Sequence, residues 1–194
     1  MQKRIRAFLL SALVLSPILY GIGCGSSMEP TRFANPQFDF GFVQRVAVLP
    51  FENLSNDRQA GFRATRLTIT EILASGALDV VEPGEVQAAI GKIPGRIDRP
   101  SQEQILTLGQ DLGVQALILG TVAQSEVMRS GAISIPVVTL DMQMVETETA
   151  VIVWAATHTE KGGSFNAKVL GTGGVPMSTI TRRCVQETLE TLIQ

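Results

Sequence analysis

The order of apolar segments from residue 43 onwards constrains the fold more than any other feature of the sequence. Arg45–Phe51 is a continuous β-prone run, which is typical of a strand buried on both faces. Val138–Met144 instead alternates apolar and polar side chains, the pattern of a half-buried strand. Between them the sequence predicts helices over about 57–75, 83–90 and 101–113 and strands over 78–81 and 116–128. Strands separated by helices favour parallel pairing through right-handed crossovers.

The C-terminal part of the chain predicts a different arrangement. After a loop over 129–136, the alternating strand and Val151–Glu160 form an antiparallel hairpin that turns at Glu146–Ala150. A glycine-rich loop, 162–174, precedes a last helix over about 178–193. The expected fold is therefore a single α/β domain over 43–194, with a mixed, mostly parallel sheet, a C-terminal antiparallel hairpin and helices packed on the sheet.

The N-terminus reads as a targeting segment. Lys3, Arg4 and Arg6 precede the apolar run Ala7–Tyr20. As a helix this run rises only about 21 Å, which is short of a hydrocarbon core of roughly 30 Å. An export signal is favoured over a membrane span, although a permanent anchor stays an alternative.

Cys24 directly follows this region, after Gly21-Ile22-Gly23. The arrangement resembles the lipobox of bacterial lipoproteins, in which signal peptidase cuts before the cysteine and its thiol carries a diacylglycerol. Gly21 departs from that pattern, since leucine is usual there. The resemblance implies a signal peptide over 1–23, a lipidated Cys24 with a short tether over 24–42, and acyl chains that hold the chain on a bilayer. Gly25, where aspartate would signal inner-membrane retention, implies the periplasmic face of the outer membrane. The alternative is an ordinary signal whose cysteine is later buried or bridged.

Charge and cysteine content exclude several classes of protein. Loss of residues 1–23 removes three of the 16 basic residues, so 18 acidic residues leave the mature chain at a net charge of −5. Nucleic-acid binding is not expected, because phosphate contacts need clustered lysine and arginine. Two cysteines, one of them assigned to acylation, give no disulfide framework.

Catalytic side chains are scarce. His158 is the only histidine and stands near Glu160, so it is a possible general base, yet no motif places a nucleophile beside it. Cys184 lies in the last predicted helix, where a lone cysteine is usually a small buried residue. The run Gly171–Gly174 lacks the spacing of a phosphate-binding loop. We therefore expect no catalytic residue, no metal site and no cofactor, with an enzyme using His158 as the remote alternative.

A weak partner-binding site is expected at Asn53 and Asp57. They follow the first buried strand, at the end of a strand where α/β folds often place ligand contacts. The alternative is that both are turn residues that hydrogen-bond local backbone.

Three segments in the same order carry a family resemblance. They are VAVLPFENLS at 46–55, LGVQALILGTV at 112–122 and LDMQMVETETAVIVW at 140–154. They resemble a group of periplasmic lipoproteins represented by the curli-secretion lipoprotein CsgG, the exopolysaccharide lipoprotein PelC and the synthase activator LpoB. Ala150 departs from the pattern, since glycine is usual there. The resemblance implies an α/β sandwich like the TolB N-terminal domain, oligomers in some members and no enzymatic activity.

The residues also discriminate among members of this group. A membrane pore is not expected, because 129–136 is too short for a spanning hairpin and the second candidate segment, 161–177, is rich in glycine and polar residues. The short tether argues against reaching through the cell wall. The preferred hypothesis is a lipid-anchored accessory protein for polysaccharide or fibre export, acting as a homo-oligomer or within an envelope protein complex. A lipoprotein that regulates a periplasmic cell-wall enzyme is the alternative.

Overall fold

The computed structural model describes residues 29–130, 133–162 and 175–193. The described residues form seven strands and four α-helices. The strands are β1 Thr31–Ala34, β2 Arg45–Val48, β3 Glu52–Asn53, β4 Asp79–Val80, β5 Ala116–Ser130, β6 Ile133–Glu146 and β7 Ile152–Lys161. The helices are α1 Ala60–Ser75, α2 Pro83–Ile90, α3 Gln102–Leu112 and α4 Met177–Glu190, with a 3₁₀ turn at Phe40–Phe42.

All seven strands belong to one mixed sheet in the order β1-β7-β6-β5-β2-β4, with β3 also paired to β5. The expected α/β class, with helices packed on a mixed sheet, is confirmed. Parallel pairing is confined to β2 with β4, β2 with β5 and β3 with β5, and these ladders are short. The antiparallel ladders β5–β6, β6–β7 and β1–β7 form the rest. The expected mostly parallel pairing thus holds for only one half of the sheet, because β5 extends far beyond its parallel neighbours β2 and β3 and pairs antiparallel with the equally long β6.

The loop expected over 129–136 is wrong, since β5 continues to Ser130 and β6 starts at Ile133. Pro136 lies within β6 although proline lacks the backbone donor of a strand residue, and it pairs with Val127 in the β5–β6 ladder. Its carbonyl accepts from the N–H of Gly162, 2.7 Å away, so its missing N–H also faces the end of β7. The proline therefore removes no hydrogen bond between β5 and β6.

Part of the segment expected to be a tether belongs to the domain. Residues 31–34 form β1, which pairs antiparallel with β7 and places Ala34 opposite Trp154. The Asp39 carboxylate then accepts from the N–H of Gly41 and caps the 3₁₀ turn. Phe38 and Phe40 meet edge to face, with ring centroids 5.1 Å apart, and pack against the core. The tether prediction is therefore corrected for residues 31–42.

Two apolar cores lie on opposite faces of the sheet. The larger core lies under α1 and α4 and contains Trp154, whose indole N–H donates to Thr191 Oγ1 at 3.1 Å. The smaller core lies under α2 and α3 and includes Leu117 and Leu108. We call these two sides of the sheet the α1/α4 face and the α2/α3 face. Only the first is covered across most of its width, which positions the candidate site described below.

Helix ends follow the local sequence in most cases. Ser101 forms a capping box with Gln104, and Gly76 and Gly113 end α1 and α3 in the left-handed conformation. The start of α1 differs, because the helix begins at Ala60 and Asp57 accepts from the N–H of Gln59 just before it. Within the described ranges no helix is long and apolar enough to cross a bilayer.

The buried face of α1 is a single row of side chains. Its buried side chains are spaced four residues apart at Ala60, Ala64, Thr68 and Ile72. Alanine at the first two of these positions allows close approach to the sheet. Phe62 and Leu73 lie off this row and are 67% and 56% exposed.

Candidate interaction site on the open half of the sheet

One half of the α2/α3 face is left uncovered by the described helices. Because side chains alternate along a strand, Asp141 and Gln143 of β6 and Ala155 and Thr157 of β7 project away from α4. These four residues define the open sheet face. They border a groove of about 720 Å³. Thr157 Oγ1 donates to Asp141 Oδ1 at 2.6 Å, so neighbouring strands are also joined by their side chains.

An arginine–carboxylate cluster borders this groove, and we call it the arginine rim. Glu52 of β3 is buried, and its carboxylate accepts from Arg99 Nε at 2.8 Å and from Arg96 Nη2 at 3.4 Å. Arg96 also donates to Asp98, and this bond and charge hold the pKa of Asp98 below its ordinary value. The two arginine side chains are 70% and 63% exposed. Each therefore has N–H groups left that can donate hydrogen bonds to a carboxylate of a partner.

The loop that carries the rim is fixed to α3. Gln104 Nε2 donates to the carbonyl of Pro94 at 2.8 Å, while its Oε1 accepts from the N–H of Ser101. Gly95 turns the loop at a φ of +100°, a conformation that favours glycine. The rim is thus held in place by the same residues that cap α3.

The expected partner-binding residue Asn53 lies in β3, near the rim residue Glu52. Its Nδ2 donates to the carbonyl of Asp57 at 2.7 Å, and its Oδ1 accepts from both the N–H and the Oγ of Ser55. All its polar atoms are therefore used inside the loop. The geometry favours the turn interpretation of Asn53.

Asp57 joins a network that crosses between elements. Its carboxylate accepts from Arg63 Nη2 at 2.5 Å and from Ser125 Oγ at 3.1 Å. Arg63 Nε donates further to Thr181 Oγ1 of α4 at 3.2 Å. Burial tends to raise the pKa of Asp57, but the hydrogen bond and charge of Arg63, with donors from Gln59 and Ser125, bring that pKa below its ordinary value. This network holds the loop after β3 against β5 and α4, and partner contact at Asp57 stays a prediction.

The side chains considered for catalysis lie on the other side of the sheet. His158 is buried against α4, where Cys184 Sγ donates to its carbonyl oxygen at 3.5 Å. Burial raises the pKa of the Cys184 thiol to about 12, so it is protonated at neutral pH and a poor nucleophile. The structure does not bring either residue to the open sheet face. Cys24 and Gly171–Gly174 lie outside the described residues.

The arginine rim was not identified from the sequence. Arg96 and Arg99 stand in a predicted loop that contains two prolines and two glycines, and their partner Glu52 is more than forty positions earlier. The only sequence feature that could have indicated this cluster was the pair of arginines itself, in a loop whose prolines and glycines restrict its conformation. The open sheet face was hidden for another reason, because alternation shows that a strand has a polar side but not whether a helix covers it.

No protein-family model and no curated protein sequence matches this chain. Solved structures do match. A PelC dodecamer from Paraburkholderia phytofirmans is 18% identical, with a TM-score of 0.58 over 85% of this chain and 98% of that chain. Lipoprotein GNA1162 from Neisseria meningitidis is 17% identical, with a TM-score of 0.53 over 66% of this chain and 90% of that chain. The LpoB C-terminal domain from Escherichia coli is 14% identical, with a TM-score of 0.47 over 60% of this chain and 81% of that chain.

The expected likeness to PelC is therefore found in the fold, whereas the CsgG and TolB parts of the resemblance stay predictions. At these identities the comparisons establish an architecture that this chain shares with PelC and the GNA1162 lipoprotein.

Proposed function

We propose that this chain is a lipid-anchored accessory protein at the periplasmic face of the outer membrane. It acts in envelope assembly or export by binding other proteins, without catalysis. One observation carries the proposal: half of one sheet face is left uncovered by the described residues and is bordered by exposed arginines, on a fold shared with a protein that forms a dodecamer. A face of this kind is available for contact with a second copy or with another envelope protein.

The chemistry of the open sheet face supports binding over catalysis. Its defining residues are an aspartate, a glutamine, an alanine and a threonine, and none of the residues lining the groove is a histidine or a cysteine. A nucleophile paired with a base is what covalent catalysis requires. The groove offers hydrogen-bonding groups instead, which suits recognition.

The same groove favours a protein partner over direct contact with a polysaccharide. None of the described residues lining the groove itself is aromatic. The one aromatic ring on this face among the described residues is the half-exposed Phe33 of β1, which lies beside Ala155 at the sheet edge. Arg96 and Arg99 retain donors beside the groove, and Asp141 adds an acceptor. These groups match a partner surface of mixed charge.

The start of β1 supports an attachment close to the membrane. The stretch from Cys24 to Thr31 spans at most about 25 Å when fully extended. A domain that begins at Thr31 would therefore stay beside the bilayer that holds Cys24. This short reach is better suited to a partner at the outer membrane than to one across the cell wall.

Site-specific photo-crosslinking of the full lipoprotein in cells tests the proposal. A photoreactive amino acid replaces Thr157 on the open sheet face, and the matched control replaces Thr70, an exposed threonine on α1. We expect Thr157 to give discrete crosslinks to a second copy or to an export component, and Thr70 to give none of these.

The captured product decides between the hypotheses. A cell-wall synthase crosslinked through Thr157 would support the regulator instead of the export accessory protein. Identical products from both positions would refute the open sheet face as a binding surface. Mass spectrometry of the N-terminal peptide tests the anchor separately, since a Cys24 thiol without acyl chains would remove the membrane part of the proposal.

A further inference from the structure

Three ionisable side chains meet between β7 and α4, on the face opposite the open sheet face. His158 and Glu160 are alternate residues of β7, so they point to the same side, and Glu187 of α4 lies across from them. His158 Nε2 is 2.8 Å from Glu187 Oε2 and 3.8 Å from Glu160 Oε2. One ligand atom from each of the three lies within 4.8 Å of the other two.

The imidazole of His158 is buried without a hydrogen bond. Its side chain is 0% exposed, and in the described part of the chain neither ring nitrogen has a hydrogen-bond partner. The contact to Glu187 is short but too bent for a hydrogen bond. Buried polar groups are nearly always paired with a hydrogen-bond partner or a ligand. An unpaired imidazole that points at two carboxylates therefore indicates that a further group binds between them.

The two carboxylates also call for positive charge. Oxygens of Glu160 and Glu187 lie 3.8 and 2.8 Å from the same imidazole nitrogen, so two negative charges are close together at the edge of the core. Two carboxylates beside one imidazole are a typical ligand set for a transition-metal cation, which would relieve this repulsion.

We propose that His158, Glu160 and Glu187 bind one divalent transition-metal cation of the Zn²⁺ type and thereby join β7 to α4. In a tetrahedral zinc site, ligand atoms about 2.1 Å from the ion lie about 3.4 Å apart. The distances of 2.8 and 3.8 Å from His158 Nε2 lie on either side of that value, so small side-chain rotations suffice.

The surroundings provide a route for the ion. The Glu187 side chain is 35% exposed and borders a polar cleft of about 610 Å³ that is also lined by Arg32, Arg183 and Glu190. A cation can therefore enter from solvent on the Glu187 side, and a water molecule there can complete four-fold coordination. The site would be independent of any partner bound on the opposite face.

Metal titration of the full lipoprotein in detergent tests this site. After chelator treatment, calorimetry with Zn²⁺ should show one ion bound per chain, and saturation should raise the melting temperature. Mg²⁺ and Ca²⁺ should do neither, because an imidazole ligand favours the later first-row metals. Glu187→Gln should weaken zinc binding by at least about tenfold, the smallest loss expected even for an outer-shell partner.

Glu190→Gln is the matched control. It removes the same charge from the same helix and cleft without touching the three ligands, so it should bind zinc like the wild type. His158→Gln should also lose binding; if it does not fold, the more exposed Glu187→Gln variant still decides the question. Equal zinc affinity in the Glu187 and Glu190 variants, or no stoichiometric binding in the wild type, would overturn the proposal. So would an intense thiolate absorption band with Co²⁺, which would identify a cysteine as the ligand.

Discussion

The contact between Phe51 and Gly120 predicts a strongly non-additive pair of substitutions. Gly120 of β5 lies directly under the Phe51 ring, and a Cβ added there would overlap ring carbons Cε2, Cζ and Cδ2. Overpacking of this kind costs about 1–3 kcal/mol of unfolding free energy, so Gly120→Ala should destabilise the domain by that amount. Phe51→Ala, which empties a buried ring site, should cost about 3–5 kcal/mol.

The double variant gives the coupling free energy between the two positions. Once the Phe51 ring is gone the new methyl group has space, and replacing a strand glycine by alanine itself is favourable by roughly 0.5–1 kcal/mol. The double variant should therefore be no less stable than Phe51→Ala alone, which makes the coupling free energy about 1–4 kcal/mol.

Urea denaturation of the purified soluble domain measures these free energies. Gly91→Ala is the control, because Gly91 has a φ of −62° and its added Cβ makes only ordinary contacts, so this variant should be more stable than the wild type by about 0.4–1 kcal/mol. Additive costs, agreeing within about 0.5 kcal/mol, would refute the proposed packing of the ring on the glycine.

Two further predictions concern single contacts. The lowered pKa of Asp57 means that its ionised form stabilises the fold at pH values above its ordinary pKa of 3.8, and that this contribution is lost as pH falls through the lower folded-state value. Asp57→Asn, which weakens the contact to Arg63, should therefore be less stable than the wild type at pH 7, and the difference in stability should shrink in acid. If the melting temperatures of the two proteins changed in parallel between pH 2 and pH 7, this reasoning would be wrong. Trp154→Phe removes the hydrogen bond to Thr191 and should cost about 1 kcal/mol plus a packing term, a fall of at least about 2–4 °C in melting temperature. An unchanged melting temperature would show that this bond contributes nothing.

Much of the fold could be predicted because local chemistry and global structure agree. The alternation in Val138–Met144 gave the half-buried strand, and Ser101, Gly76 and Gly113 marked helix ends through capping geometry that needs no distant partner. These signals depend on neighbours along the chain, which a single sequence contains.

The rest depended on partners distant in sequence. β1 carries no alternation signal, because all four of its side chains are exposed and only its pairing with β7 makes it a strand. The same holds for the candidate sites: the open sheet face depends on where helices are absent, and Glu187 reaches the His158 cluster from another element. Cys24 alone was found by a local motif, and its acylation stays a prediction.

The exposed position of β1 has a consequence if the chain is anchored through Cys24 as proposed above. Any pull on the residues before Thr31 reaches this four-residue ladder first, and the ladder has hydrogen bonds but little apolar burial to resist it. If β1 detaches while Phe38 and Phe40 stay packed on the core, the extended segment between Cys24 and the domain lengthens by about 25 Å. The maximum distance between the domain and its anchor then roughly doubles. Under mechanical tension, the edge strand would then detach reversibly and let the domain move further from the membrane.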